Sequence, residues 1–256
     1  MLELQGVCKH FGGLTAVDRV SFSLGEEAIT GLVGPNGSGK TTLFHVISGF
    51  YSSDGGSIHF HGVPIHNLPP HEISRLGLVR TFQHSRVVGQ LSVRDNLKMA
   101  APQQLGENLS QVFFRRRAVR CQERQIDAQA KRILDLLKLD HLAEQPAEGL
   151  SYGQQKLLEL GRVLMAEPRL VLLDEPTAGV NPTLIRRIVA VIQRLAQEGI
   201  RFFLVEHNMP LVAELCQRVL VMDAGELIFD GSAAAARQDE RVIEAYLGRV
   251  DAARGA

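Results

Sequence analysis

The sequence predicts an α/β fold: a mixed sheet with an antiparallel N-terminal β-subdomain and an inserted α-helical subdomain. The run at 170–174 has the character of a strand that is buried on both faces, and an apolar run at 28–33 predicts another strand. Runs at 2–7 and 20–24 alternate between apolar and polar residues, as strands with one solvated face do. From about 84 to 155 the pattern is mainly helical, which indicates a helical segment inserted into an α/β core.

Composition limits the class of protein. The chain has 256 residues, 45% of them hydrophobic, and its 28 basic residues balance its 28 acidic ones. We expect a single domain over 1–256, with the helical subdomain at 84–155 inserted into it. The zero net charge gives no support for nucleic acid as a partner. Because no apolar run reaches the roughly 20 residues that cross a bilayer, we expect a cytosolic chain unless something holds it at a membrane.

A glycine-rich loop with one lysine and two threonines separates the first apolar strand from a predicted helix: Gly34-Pro35-Asn36-Gly37-Ser38-Gly39-Lys40-Thr41-Thr42. The glycines allow positive φ, so that successive N–H groups can face phosphate oxygens. Lys40 adds a positive charge near the β and γ phosphates, and Thr41 offers a hydroxyl to Mg²⁺. The strand before the loop and the helix after it favour phosphate binding over an ordinary turn.

Two later strands also end in polar residues. The strand at 170–174 is followed directly by a second carboxylate, so that Asp174 and Glu175 are adjacent. At the carboxyl edge of a parallel sheet beside a phosphate loop, one carboxylate can hold Mg²⁺ and the next can deprotonate an attacking water. The strand at 202–205 leads to His207, for which sensing a γ-phosphate and a structural role are both open.

Three further segments each permit two interpretations. Ser151 is suited to cap the helix that follows it, either as an ordinary cap or at an anion site. Phe11 stands among polar and glycine neighbours before the loop, where it suits either a platform for a nucleotide base or packing. His59 and His61 are predicted on one face of a strand, but no third ligand stands at a spacing that would make a metal site.

The helical stretch carries two patterns. Five apolar residues recur at helical spacing and predict one buried face: Ile126, Ala130, Ile133, Leu134 and Leu137. The polar segment at 103–129 contains Arg115-Arg116-Arg117. Such a triple is typical of a solvated face, with a contact to lipid headgroups or to a partner as the alternative.

In this order, the motifs resemble those of the ATP-binding subunits of ABC transporters over essentially the whole chain. The resemblance implies a P-loop NTPase of the ABC ATPase type, whose ATP hydrolysis is coupled to transmembrane transport. Six motifs carry it: Walker A at 34–42, the Q-loop glutamine Gln83, the signature at 150–154, Walker B at Asp174 and Glu175, the D-loop at 178–181, and the switch histidine His207.

Two departures from the general ABC pattern indicate a narrower subfamily. Tyr152 replaces the usual signature glycine and Asn181 the usual D-loop aspartate. Both substitutions resemble the sequences of the subfamily that energises import of branched-chain amino acids. The segments at 80–83 and 244–248 resemble the same subfamily. The alternative function is the same role in an importer of urea or short-chain amides. An ABC ATPase that serves no transporter is a less favoured alternative. A P-loop switch or kinase is disfavoured by the signature.

The resemblance also implies roles for site residues. Glu175, His207 and Gln83 would be catalytic, and Mg²⁺ would be held by Thr41, Gln83 and Asp174. ATP would contact one subunit through an aromatic residue and the loop: Phe11, Gly34, Asn36, Gly37, Ser38, Gly39, Lys40, Thr41 and Thr42. It would contact the opposing subunit through Ser151, Gly153 and Gln154.

The implied partners follow from the same resemblance. They are integral membrane permease subunits and a second ABC ATPase subunit, either the same chain or a related one, packed head to tail. A periplasmic or extracellular solute-binding protein would act indirectly, and no nucleic acid is expected. The implied location is peripheral, at the cytoplasmic face of the plasma (inner) membrane.

Overall fold

The structure, a computed structural model, describes residues 1–25, 27–81, 87–107 and 109–246, without the side chains of 107–111. The strands and helices are, in chain order, β1 (Leu2–Phe11), β2 (Leu14–Leu24), β3 (Ile29–Val33), α1 (Lys40–Ile47), β4 (Gly55–Phe60), β5 (Val63–Pro64), α2 (Pro70–Arg75), β6 (Leu78–Arg80), α3 (Val93–Lys98), α4 (Leu109–Phe114), α5 (Arg116–Leu137), α6 (Tyr152–Leu164), β7 (Leu170–Asp174), α7 (Pro182–Gln197), β8 (Arg201–Val205), α8 (Met209–Leu215), β9 (Arg218–Asp223), β10 (Glu226–Gly231) and α9 (Ala233–Ala236). Residues 240–246 are also helical. No helix in these ranges is long and apolar enough to cross a bilayer.

The chain forms two compact units. The first comprises Met1–Arg80, Arg169–Ala178 and Ile192–Ala256, and the second comprises Thr81–Pro168 and Gly179–Val191. The first therefore holds both sheets, and the second holds α3 to α6 with the start of α7. The insertion boundaries expected from the sequence, 84–155, stay a prediction.

A six-stranded sheet forms the centre of the first unit, in the order β10-β9-β3-β8-β7-β6. All neighbouring strands are parallel except β10, which pairs antiparallel with β9. Every residue of β3 and β7 is buried, as the sequence predicts for β7. The carboxyl ends of the parallel strands meet at one edge, where Asp174 pairs with Val205 and Val205 with Leu32.

The second sheet is antiparallel, in the order β2-β1-β4-β5. The alternation of buried and exposed residues along β2 explains its amphipathic sequence. Both sheets contribute to one apolar core together with α1, because Phe203 of β8 packs against Phe44 of α1 at 4.9 Å and Phe22 of β2 at 5.6 Å between ring centroids. The mixed sheet and the antiparallel N-terminal strands are confirmed.

One local prediction was wrong. His61 does not share a strand face with His59, because β4 ends at Phe60 and His61 lies in the turn to β5 with φ of 50°. A left-handed turn residue points away from the pleat that positions His59. Within the described residues, no group of three or more His, Cys, Asp or Glu side chains is placed to hold a metal ion.

In the second unit, α5 buries the face that its sequence predicts. The buried residues include all five of the expected set: Ile126, Ala130, Ile133, Leu134 and Leu137. Gly161 of α6 lies where α3, α5 and α6 meet. A Cβ there would be 2.7 Å from the Leu137 side chain and 2.9 Å from that of Leu97, so only glycine permits this approach.

Candidate nucleotide site

The Lys40 ammonium is held inside the glycine-rich loop. Its Nζ donates to the carbonyl oxygens of Gly34 and Pro35, both at 2.9 Å, and to Ser38 Oγ at 3.2 Å. Lys40 is buried, with 5% of its surface exposed, so these three oxygens offset the cost of removing its charge from water. The loop thus carries a fixed positive charge, as an anion site requires.

Two glycines of the loop cannot be replaced without a collision. Gly34 has φ of 147°, and a Cβ there would be 2.1 Å from the Met222 carbonyl oxygen. Gly39 has φ of 99°, and its Cβ would be 2.2 Å from the Ala16 carbonyl oxygen. Gly39 precedes α1, and no side chain caps that helix. The first-turn N–H groups and the buried lysine therefore form a cradle that fits a phosphate group.

The residues that enclose this loop from outside belong to none of the sequence motifs. Gly225, in the β9–β10 turn, donates its N–H to Ser38 O at 3.1 Å and accepts from Asp18 N at 2.9 Å. The Tyr246 hydroxyl makes a hydrogen bond with the backbone of Gly34. Burial raises the pKa of Tyr246, and that hydrogen bond opposes the rise. The loop is therefore shaped by the C-terminal part of the chain.

Asp174, the last residue of β7, is paired with a buried arginine. Arg80 Nη2 donates to Asp174 Oδ2 at 2.7 Å, and both side chains are almost completely buried. Burial lowers the pKa of Arg80, while the charge of Asp174 opposes this. The sequence did not identify this partner, because β6 and β7 are neighbours in the sheet but lie about ninety residues apart in the chain.

The acidic strand end and the loop belong to the same edge of the sheet. Asp174 pairs with Val205, which pairs with Leu32, and β3 ends one residue later at the loop. Two strand spacings separate them, roughly 10 Å. Burial and the charge of Arg80 lower the pKa of His45 on α1, while the charge of Asp174 opposes this, so the helix that follows the loop lies within electrostatic range of the pair.

Glu175 and His207 face one another across adjacent strand ends. His207 Nε2 lies 2.8 Å from Glu175 Oε1, and both side chains are partly exposed. Glu175 has φ of 48°, a left-handed conformation that costs a non-glycine residue about 1 kcal/mol or more. Its N–H donates to Val205 O at 3.0 Å, which fixes this conformation. A carboxylate held in a strained backbone beside a histidine is an arrangement found at catalytic sites.

Glu206 is a site residue that sequence reasoning missed. It is buried, and its Oε1 accepts from the N–H and the hydroxyl of Thr177 at 3.2 and 2.6 Å. Its Oε2 accepts from the His207 N–H at 3.2 Å. Glu206 therefore ties the turn after Glu175 to the strand end that bears His207. The signal was available in the sequence, since an acidic residue directly after an apolar strand needs a buried partner.

The chain is similar to known proteins along most of its length. A family model described as ABC transporter matches residues 17–178. The high-affinity branched-chain amino acid transport ATP-binding protein BraF of Pseudomonas aeruginosa is 38% identical over 249 residues, which cover 97% of this chain and 98% of the relative. The chain belongs to the ATP-binding subunits of ABC transporters.

Three further comparisons agree with this family. The high-affinity branched-chain amino acid transport ATP-binding protein LivG of Escherichia coli is 36% identical over 250 residues, covering 97% of this chain and 98% of the relative. A model described as branched-chain amino acid ATP-binding cassette transporter matches residues 226–252. A solved ATP-binding cassette of an ABC transporter, in its ADP conformation, has a TM-score of 0.82 and 34% identity, covering 97% of this chain and 98% of that one. The expected family and fold type are confirmed.

As an ABC ATPase, the chain binds nucleotide and hydrolyses ATP to power transport. Phe11, expected to stack on the base, lies at the end of β1 with 43% of its surface exposed. Its ring packs edge-on against Tyr51 at 5.3 Å, and Tyr51 packs against His45 at 4.9 Å. This aromatic group is therefore connected to α1, the helix that follows the phosphate loop.

The signature segment of this ABC ATPase opens α6 with a capping box. Ser151 Oγ accepts from Gln154 N at 3.4 Å, and Gln154 Oε1 accepts from Ser151 N at 2.8 Å. The predicted cap is confirmed, while the predicted contact of both side chains with a nucleotide stays a prediction. Gly153 has a packing role, because a Cβ there would be 1.8 Å from the Leu184 side chain.

The two departures from the family pattern have local structural roles. Tyr152 lies against Gly179 of the D-loop, where a Cβ on that glycine would be 3.3 Å from the tyrosine ring. Asn181 caps α7, since its Oδ1 accepts from Leu184 N at 3.0 Å. An aspartate would serve equally as a cap. Gln83, another expected site residue, lies outside the described residues.

Proposed function

We propose that this chain is the ATP-hydrolysing subunit of an importer for branched-chain amino acids. The observation that carries the proposal is similarity along the full chain to ATP-binding proteins named for transport of those solutes. The match of residues 226–252 to the branched-chain amino acid cassette model supports it, because this segment lies beyond the catalytic motifs.

The geometry supports specific roles at the site. The loop from Gly34 to Thr42 would hold the phosphates, with the Lys40 charge and the amides of α1 directed at them. Thr41, Asp174 and Gln83 would hold Mg²⁺, because hydroxyl, carboxylate and amide oxygens are the donors that this ion prefers. When bound, Mg²⁺ supplies positive charge that offsets the charge developing on the transferred phosphoryl group.

Glu175 would act as the general base. Its carboxylate is partly exposed at the same sheet edge as the loop, so it can reach a water that attacks the γ-phosphate. His207 would orient this carboxylate through the 2.8 Å contact and would sense the γ-phosphate. Glu206 would position both through its hydrogen bonds to the neighbouring turn.

Two such subunits would form composite sites. Ser151, Gly153 and Gln154 would approach the nucleotide bound by the opposing subunit, and Phe11 would stack on its own adenine. Closure would then depend on ATP, because the γ-phosphate bridges the two surfaces. The second subunit would be this chain or a relative. Membrane permeases would bind the dimer and hold it peripherally at the cytoplasmic face of the membrane, with a solute-binding protein acting on the opposite side.

The site assignment is tested by Glu175→Gln. We expect ATP turnover to fall by about 100-fold or more, because a general base contributes about 10²–10⁴ in rate. ATP affinity should change little, and dimers should accumulate with ATP in size-exclusion chromatography. Glu198→Gln is the matched control, since Glu198 is an exposed partner of Arg194 and should leave turnover unchanged. Normal turnover in Glu175→Gln would contradict the role of the base.

The solute is tested separately by reconstitution. The subunits encoded beside this chain would be assembled in vesicles, and ATP turnover and uptake measured with leucine, isoleucine or valine and with urea or acetamide. Stimulation by the amino acids alone supports the proposal. Stimulation by the amides alone assigns the other solute class and leaves the site assignment intact.

A further inference from the structure

The helical unit carries a concentrated positive charge on one outer face. Between residues 115 and 132 stand seven basic and two acidic residues, a local net charge of +5 in a chain whose total is zero. One of the two acids, Asp127, is paired with Arg94 at 3.8 Å. Five exposed arginines form no ion pair with any described residue, and we call them the basic face: Arg115, Arg116, Arg117, Arg120 and Arg124.

Helix α5 presents the basic face outward because its other side is fixed. The apolar side, from Val119 to Leu137, is buried in the helical unit. Near its start, Gln122 Oε1 accepts from Leu105 N at 2.7 Å and Gln122 Nε2 donates to Gln103 O at 3.0 Å. The arginines therefore project from an anchored helix. Three of them line an open groove of about 420 Å³: Arg117, Arg120 and Arg124.

Two aromatic side chains adjoin this charge. Phe113 and Phe114, at the end of α4, are 65% and 89% exposed. Water contact at both rings is unfavourable, by about 25 cal/mol for each Å² of apolar surface that could be buried. Exposed apolar side chains that adjoin one another mark an interaction surface more often than a surface that faces only water. The chain thus places an apolar pair beside the densest cluster of arginines in its sequence.

We propose that the basic face and the phenylalanine pair bind the surface of a bilayer that contains anionic lipids. Phosphate headgroups supply negative charges with which the five arginines can pair. Phe113 and Phe114 can enter the boundary between headgroups and acyl chains. Arginine and phenylalanine are also enriched at protein interfaces, but the centres of such interfaces are depleted of charge overall. Five arginines that form no ion pair with a described residue therefore fit an anionic lipid surface better. This binding is separate from the proposed nucleotide chemistry and does not depend on it.

The first test is flotation of the purified full chain with vesicles. We expect binding to vesicles of equal parts phosphatidylcholine and phosphatidylglycerol, and none to phosphatidylcholine alone. Binding should weaken between about 0.1 M and 1 M salt, over which the screening length falls from about 10 Å to about 3 Å. Equal binding to both vesicle types, or to neither, would overturn the proposal.

Variants locate the surface. Arg115→Gln, Arg116→Gln and Arg117→Gln combined should lower the partition constant on the order of a hundred-fold, since each cation near an anionic surface contributes about 1 kcal/mol, or about fivefold. The control removes the same charge from exposed arginines elsewhere: Arg19→Gln, Arg194→Gln and Arg241→Gln. It should bind as the unaltered chain does. Phe113→Ser with Phe114→Ser should remove the binding that persists at high salt.

A fluorescent probe gives a second readout. Cys121 is exposed on α5 beside the groove, whereas Cys8 is only partly exposed and Cys216 is buried, with its pKa raised to about 12. A thiol-reactive, environment-sensitive dye should therefore attach mainly at Cys121, because reaction requires an accessible thiolate. With anionic vesicles, the emission of the dye should shift to shorter wavelength. An unchanged emission spectrum on vesicles that the chain does bind would place the contact elsewhere.

A protein contact would give a different pattern. If the triple arginine variant bound vesicles normally but failed to assemble with the permeases in detergent, the basic face would be a protein-binding surface and the lipid proposal would be wrong. ATP turnover of the isolated chain without vesicles should stay within twofold in every variant. This separates loss of membrane binding from loss of the fold or of the nucleotide site.

Discussion

The Arg80–Asp174 pair offers a quantitative test of the site. Arg80→Met keeps most of the side-chain volume but leaves the Asp174 carboxylate buried without its guanidinium. Removing one partner of a buried pair costs about 3–5 kcal/mol, because the remaining charge is uncompensated. For a chain of this size each kcal/mol shifts the midpoint of thermal unfolding by about 2–4 °C, so the expected decrease is about 6–20 °C.

The matched control is Arg194→Met. Arg194 pairs with Glu198 at 3.1 Å, but both side chains are more than half exposed. Such a pair contributes about 1 kcal/mol or less, so the unfolding midpoint should fall by no more than about 4 °C. Differential scanning calorimetry of the nucleotide-free chains measures both values under the same conditions.

The contributions of Arg80 and Asp174 to stability should also be coupled. Arg80→Met combined with Asp174→Leu removes both charges, and buried pairs replaced by apolar residues are often as stable as the original. The double variant should therefore unfold at a higher temperature than Arg80→Met alone. If Arg80→Met behaved like the exposed control, or if the second substitution lowered the midpoint further, the buried charge would not be the source of the stability.

Three other predictions concern the loop and its surroundings. Gly39→Ala should lower the unfolding midpoint and abolish ATP binding, whereas Gly199→Ala, at φ of 100° but with nothing within 4 Å, should cost only the backbone strain of about 1 kcal/mol. Equal losses in the two variants would show that the collision with a backbone carbonyl is unimportant. Tyr246→Phe removes a hydrogen bond to the loop and should weaken ATP affinity by about fivefold, as measured by fluorescent-nucleotide titration; an unchanged affinity would contradict this. Because burial lowers the pKa of His45, the folded chain binds its proton less tightly than the unfolded chain, so stability falls as pH drops below about 6.5. His45→Gln should reduce that fall between about pH 8 and pH 5.5, and an identical fall would assign the pH dependence to other groups.

Much of the site could be predicted from sequence because its parts are local. The loop, the carboxylates after β7 and the histidine after β8 each follow an apolar strand, and parallel strands place their carboxyl ends together. The cap Ser151 was likewise visible, since capping depends on residues three or four apart.

The partners of these groups could not be predicted in the same way. The pairing of Asp174 with Arg80 depends on which strands are neighbours, and the glycine-rich pattern does not reveal that Met222 and Ala16 enclose the loop. Such contacts join positions far apart in the chain, whereas periodicity and spacing report only on nearby residues. The error at His61 has a simpler cause: a turn began one residue earlier than the alternation indicated.

The enclosure of the loop sets a minimum length for any working piece of this chain. A fragment that stops after His207 would retain all six motifs from Walker A to the switch histidine, yet it would lack β9, the Gly225 turn and Tyr246, which contact the loop from outside it. Its lysine and glycines would be present without the scaffold that holds their backbone open. Attempts to shorten the protein for expression, or to graft its motifs onto another sheet, therefore have to carry the C-terminal hairpin along.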